Sequence, residues 1–92
     1  MKIEFDINKS LKNEKERKLP FSETEKFDWE NAIYFKDDRF QYSEERIVAI
    51  GFIDIRLHVI CFTPINGGVR IISFRKANKR EVKYYEKKIA DQ

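Results

Sequence analysis

Two β-dense runs joined by a turn signal constrain this chain most. Arg56 to Thr63 and Val69 to Arg75 are rich in β-branched and apolar residues, and Pro64-Ile65-Asn66-Gly67-Gly68 lies between them. Asn-Gly tolerates the positive φ angles of a tight turn, so the two runs pair as an antiparallel hairpin. The second run leads directly into Asn78-Lys79-Arg80-Glu81, a capping-box sequence that opens a helix. On that helix Val82, Tyr85 and Ile89 share one stripe and should face the sheet, whereas Lys79, Lys83 and Lys87 form a stripe toward water or phosphate.

The remaining elements follow from local pattern. Ile3 to Ile7 alternates apolar and acidic residues, as a half-buried strand does. Asn8 can cap a helix over Lys9 to Lys18, which has Leu11 as its apolar anchor and ends at Pro20. Ser22-Glu23-Thr24-Glu25 opens a second short helix carrying Phe27. Ala32 to Phe35 and Arg46 to Gly51 read as strands, with a turn at Lys36-Asp37-Asp38-Arg39. The predicted order is one N-terminal strand, two helices, a four-stranded antiparallel segment and a C-terminal helix. This is an α+β domain spanning residues 1–92.

Composition narrows the class. With 92 residues, 41% hydrophobic and 14% aromatic, the chain has enough apolar area for one small core. No apolar run reaches the roughly 20 residues that span a bilayer, and the acidic start lacks the apolar region of a signal peptide. A single cysteine rules out an internal disulfide, so a cytoplasmic setting without membrane contact is expected. Residues 70–92 carry eight Lys/Arg against three Asp/Glu, while residues 1–69 carry eleven against thirteen. A basic C-terminal quarter on a mildly acidic body suits either a phosphate-facing surface or a solvated helix face.

The residues point to no cofactor and no metal-ligand set. His58 and Cys61 stand three apart on one strand and so face opposite ways. Cys61 reads as a buried thiol and His58 as a structural or surface histidine. Asp37-Asp38 and Glu44-Glu45 read as solvated turn charges. The basic cluster is the chemical candidate. Arg70, Arg75, Lys76, Lys79 and Arg80 surround the strand-to-helix junction. Arginine binds phosphate with a planar fork and keeps its charge, which suits stabilisation of a phosphorane. Alternation places Arg75 and Lys76 on opposite faces. The competing reading makes Arg70 a strand-edge cap and pairs Arg75 with Glu81 or with a carboxylate of the first helix. Lys76, Lys79 and Arg80 are then surface charges.

Four segments carry a family resemblance. They are Phe5-Asp6-x-x-Lys9-x-x-x-Asn13, Glu45-Arg46 followed by Ala49-Ile50-Gly51, Phe62-Thr63 before the hairpin, and Arg70-Ile71-Ile72-Ser73-Phe74-Arg75-Lys76-Ala77 followed by Arg80-Glu81 and Tyr85. Together they resemble the BrnT family, ribonuclease toxins of bacterial type II toxin–antitoxin pairs. The resemblance implies a RelE-like fold, metal-independent RNA cleavage that inhibits translation, and neutralisation by a BrnA-like ribbon-helix-helix antitoxin. Operator DNA would be bound only through that antitoxin. On this reading Arg46, Arg70, Arg75 and Arg80 bind the scissile phosphate, and Glu45 and Tyr85 are the candidates for proton transfer. Lys76, Lys79 and Lys83 extend the RNA track, and Arg17 and Lys18 add to it from the first helix. Two positions depart from the family pattern. Glu16-Arg17-Lys18 stands where many members have Lys-His-Gly, so an acid–base histidine is missing, and Phe74 stands where alanine is usual. The different reading these departures favour is a non-catalytic RNA-binding or repressor-partner module.

Overall fold

The computed structural model describes residues 1–92. Its elements run β1 (Lys2–Glu4), α1 (Ile7–Arg17), a 3-10 turn (Phe21–Lys26), β2 (Ile33–Lys36), β3 (Ile47–Ile53), β4 (Arg56–Ile65), β5 (Gly68–Lys76) and α2 (Lys79–Ala90). The strands form one five-stranded sheet in the order β1-β5-β4-β3-β2. The α+β class is as expected, but the sheet is larger than the expected four-stranded segment. β1 adds to it in parallel against β5, pairing Lys2 with Gly68 and Glu4 with Arg70. Gly68 permits this approach, because a Cβ there would meet the Lys2 carbonyl oxygen at 1.8 Å. Gly67 takes the positive φ of the turn, at 81°.

Each layer follows from short-range chemistry corrected by packing. The N-terminal strand stops at Glu4 rather than Ile7, since Asp6 caps α1 by accepting from the amides of Asn8 and Lys9. Leu11 does not anchor α1, being 56% exposed. Polar contacts do so instead. Buried Ser10 accepts from the Phe21 amide at 2.8 Å, and Asn13 donates to the carbonyls of Leu19 and Phe74 at 2.7 and 2.9 Å. The second helix is a single 3-10 segment after Pro20 with no side-chain cap, so the expected capping box at Ser22 is not formed. The capping box of α2 forms as expected between Asn78 and Glu81.

The sheet carries two cores, one per face. Under α1 and the 3-10 turn, Phe21 and Phe27 pack with Ala49, Ile60, Phe62, Val69, Ile71 and Phe74. Trp29 closes this layer edge-on against Phe27 and Phe62. On the opposite face α2 sets Tyr85 and Val82 against Ile50, Leu57, Val59 and Ala77. Ile89, expected on that stripe, is 38% exposed. No helix is long and apolar enough to cross a membrane.

Candidate functional site

The α2 face is only half covered, and the uncovered half is where charged side chains gather. β-strand register identifies its floor. Val48 pairs with Cys61 and Cys61 with Ser73, and the next row on that face brings Thr63 beside Arg70 and Arg70 beside Glu4. Arg46, one residue before β3, continues this row on the far side of Thr63. The β2–β3 connection rises as one wall. Asp37, Asp38 and Arg39 line a cleft of about 420 Å³ together with Cys61, Ser73, Arg75 and Glu81.

A β-bulge sets the composition of this floor. Arg70 and Arg75 are five residues apart, so regular alternation would send them to opposite faces. The β4–β5 register slips between Cys61 and Phe62, so that Ile71 and Ile72 together oppose Phe62. The slip returns Arg70 to the face of Ser73 and Arg75 while leaving Val69, Ile71 and Phe74 in the opposite core. Alternation with Ser73 and Arg75 settles Phe74, which is 1% exposed and stays clear of the cleft.

The arginines differ in how they are held. Glu81 grips Arg75 through two hydrogen bonds of 2.7 Å, and the same carboxylate closes the α2 capping box. The Arg75 hydrogen bond therefore holds the Glu81 carboxyl below its usual range, and its partner raises the guanidinium. Arg70 reaches Glu4 and Glu44, each at 3.3 Å. Arg46 makes no ion pair. It lies 4.1 Å over the Tyr42 ring, and its buried Nε has no hydrogen-bond partner. The buried Thr63 Oγ1 is also unpartnered. Two unsatisfied polar atoms in adjacent positions leave undone contacts worth about 1–3 kcal/mol each.

The other predicted residues lie apart from this row. Lys76 is on the face opposite Arg75, level with His58. Lys79 and Lys83 line a separate hollow of about 300 Å³ with Arg56. Arg80 is exposed in the first turn of α2. Tyr85 is packed in the second core, its ring edge-on to Phe52 at 5.5 Å. Glu45 is exposed beside Arg46 on the β2–β3 connection. Arg17 borders a hollow with Ser73 and Ile72 at the rim of β5, on the α1 side. Lys18 is the C-cap of α1, in the left-handed region at φ 59°.

His58 is structural as expected. It is buried against Phe74, its Nδ1 within 2.9 Å of the Arg56 carbonyl, and burial holds its pKa below the usual value. Cys61 is buried as expected, and burial pushes its thiol up, but it lies beneath the cleft rather than deep in a core. Asp37 and Glu44 are not the solvated turn charges expected. Asp37 is 5% exposed and Glu44 holds Arg70. No local pattern around Asp37 marks its burial. Thr63 had no signal of its own. No three His, Cys, Asp or Glu side chains come together as a metal-binding group.

A family model described as the ribonuclease toxin BrnT of type II toxin–antitoxin systems matches residues 5–81. No curated protein matches the chain.

Proposed function

Because the chain belongs to the BrnT family of type II toxin–antitoxin ribonuclease toxins, we propose that the open half of its α2 face is the RNA-cleaving site. An antitoxin partner comes with the family. The row of Arg46, Thr63 and Arg70 carries the proposal, because it presents a cation with no carboxylate partner next to an unpartnered hydroxyl.

In this site Arg46 and Arg70 grip the scissile phosphate and Arg75 supports it from the α2 end. The ribose 2′-OH attacks the adjacent phosphorus and gives its proton to Glu45. The P–O5′ bond breaks, and the 5′ oxygen takes a proton from water. The products are a 2′,3′-cyclic phosphate and a 5′-hydroxyl, with no metal in the step. Arg17 and Lys18 extend the RNA path around the rim of β5. Arg80, Lys76, Lys79 and Lys83 offer outlying phosphate contacts, and Tyr85 keeps α2 in place. Loss of cellular RNA in this way inhibits translation. A ribbon-helix-helix antitoxin neutralises the chain by covering the cleft, and operator DNA is reached through the antitoxin alone.

A second reading has its own observation. Arg70 and Arg75 are already occupied by carboxylates, as in a module that binds without cutting. One experiment separates the two. The purified chain is incubated with RNA in excess EDTA, and product ends are determined. Cyclic phosphate ends that vanish in Arg46→Ala support the ribonuclease site. Binding without cleavage, with or without divalent metal, selects the non-catalytic reading, and cleavage abolished by EDTA overturns metal independence.

A further inference from the structure

Arg39 stands on the cleft wall opposite Arg75, and its side chain is 74% exposed. A long, exposed arginine would ordinarily sample many rotamers. This one is fixed by Asp37, whose side chain is 2% exposed. Nε donates to Oδ1 at 2.9 Å and Nη2 donates to Oδ2 at 3.0 Å, a two-pronged fork. Asp37 is held in turn. Its amide donates to the Arg46 carbonyl at 2.8 Å, and the Tyr42 hydroxyl donates to Oδ2 at 3.4 Å. The hydrogen bond from Arg39 holds the Asp37 carboxyl below its usual range, so the anchor stays ionised at neutral pH. Two of the five N–H groups of Arg39 are used by this fork, which leaves three to face the cleft. The Tyr42 that touches Asp37 also lies under the Arg46 guanidinium, so one small network sets both arginines.

We propose that Arg39 is a further phosphate-binding residue of the site and that buried Asp37 is the residue that positions it. This rests on the ribonuclease reading above. Its ligand is a phosphate of the bound RNA strand, gripped from one rim by Arg39 and from the other by Arg75. Asp37 touches no substrate and acts only through Arg39.

The test uses the full chain, a cleavable RNA oligonucleotide and its fully 2′-O-methylated copy, which binds and cannot be cut. Arg39→Ala should weaken binding of the methylated copy about tenfold or more and lower the salt dependence by about one phosphate contact. Its melting temperature should fall, because buried Asp37 loses its partner, so binding is compared at temperatures where the variant is fully folded. Arg39→Lys keeps the charge but loses the fork, and should recover only part of the binding. Asp37→Asn should lose binding to a similar degree even at temperatures where it is fully folded. The double variant Asp37→Asn/Arg39→Ala should bind no more weakly than Arg39→Ala alone. Wild-type binding and cleavage by Arg39→Ala would overturn the proposal while leaving the site of Arg46 and Arg70 standing. So would additive losses in the double variant. A wild-type chain that neither binds nor cuts RNA would instead overturn the functional reading, and this proposal with it.

Discussion

The two faces of the sheet are built from the same strands and have opposite fates. Toward α1, β4 and β5 present Ile60, Phe62, Ile71 and Phe74, each at most 6% exposed and roofed by Phe21, Phe27 and Trp29. Toward α2 the same strands bury Leu57 and Val59 under the helix, but beyond it they present Thr63, Ser73, Arg70 and Arg75, of which Ser73 is exposed and the two arginines are half-buried. The first face satisfies itself by apolar contact. The second leaves Arg46 Nε and Thr63 Oγ1 without partners. The larger apolar core therefore lies on the α1 side of the sheet, and the unpartnered polar groups lie on the other. Substitutions on the two faces should separate stability from activity.

Phe74→Ala should test this most severely. It empties a nearly inaccessible position in the α1-side core and should cost about 3–5 kcal/mol of unfolding free energy, measured by urea denaturation. A loss below 1 kcal/mol would mean that this face is not the main store of stability. On the cleft face, Arg46→Ala should lower RNA cleavage by about a hundredfold, equivalent to about 2.7 kcal/mol in the transition state. Its melting temperature should fall far less than that of Phe74→Ala, and a matching collapse in stability would erase the contrast.

Glu81 joins the two roles. Glu81→Gln keeps an acceptor for the Asn78 amide but removes the charged clamp on Arg75, and should cost about 0.5–1 kcal/mol because solvent reaches Arg75. The pH dependence has a definite sign. The Glu81 carboxyl is held below its ordinary 4.5 by Arg75, so its contribution is fully present above that value. It is lost as pH falls through the lower folded value. Wild type and Glu81→Gln should therefore converge in stability in acid, and parallel curves down to low pH would refute the clamp. Lys18→Gly should give an equally small effect, a gain of about 0.5–1 kcal/mol in melting analysis, because glycine relieves the left-handed backbone at φ 59°.

Much of the fold was legible from local signals. Asn66-Gly67 marked the hairpin and Asn78 with Glu81 marked the α2 cap, because a turn or a cap depends on a few adjacent residues. The Arg75–Glu81 pair was one of two open alternatives, and the structure makes it. Arg46, Arg70 and Arg75 were all named from the sequence, whereas Asp37 and Arg39 were passed over as a solvated turn. Burial of Asp37 depends on where the β2–β3 connection folds over β4, and nothing in Lys36 to Arg39 encodes that.

The sequence by itself determined the order of strands and helices, the hairpin, the buried Cys61, and a chain rich in arginine near its last strand. These are consequences of periodicity, turn chemistry and hydrophobicity, all of which act over a few residues. Only the tertiary structure decided that β1 lies parallel to β5, that Ser10 and Asn13 hold α1 where Leu11 does not, and that Arg70 shares a face with Arg75. Each of these depends on pairing between distant segments. A one-residue bulge in β5 reverses which side of the sheet every residue before it occupies.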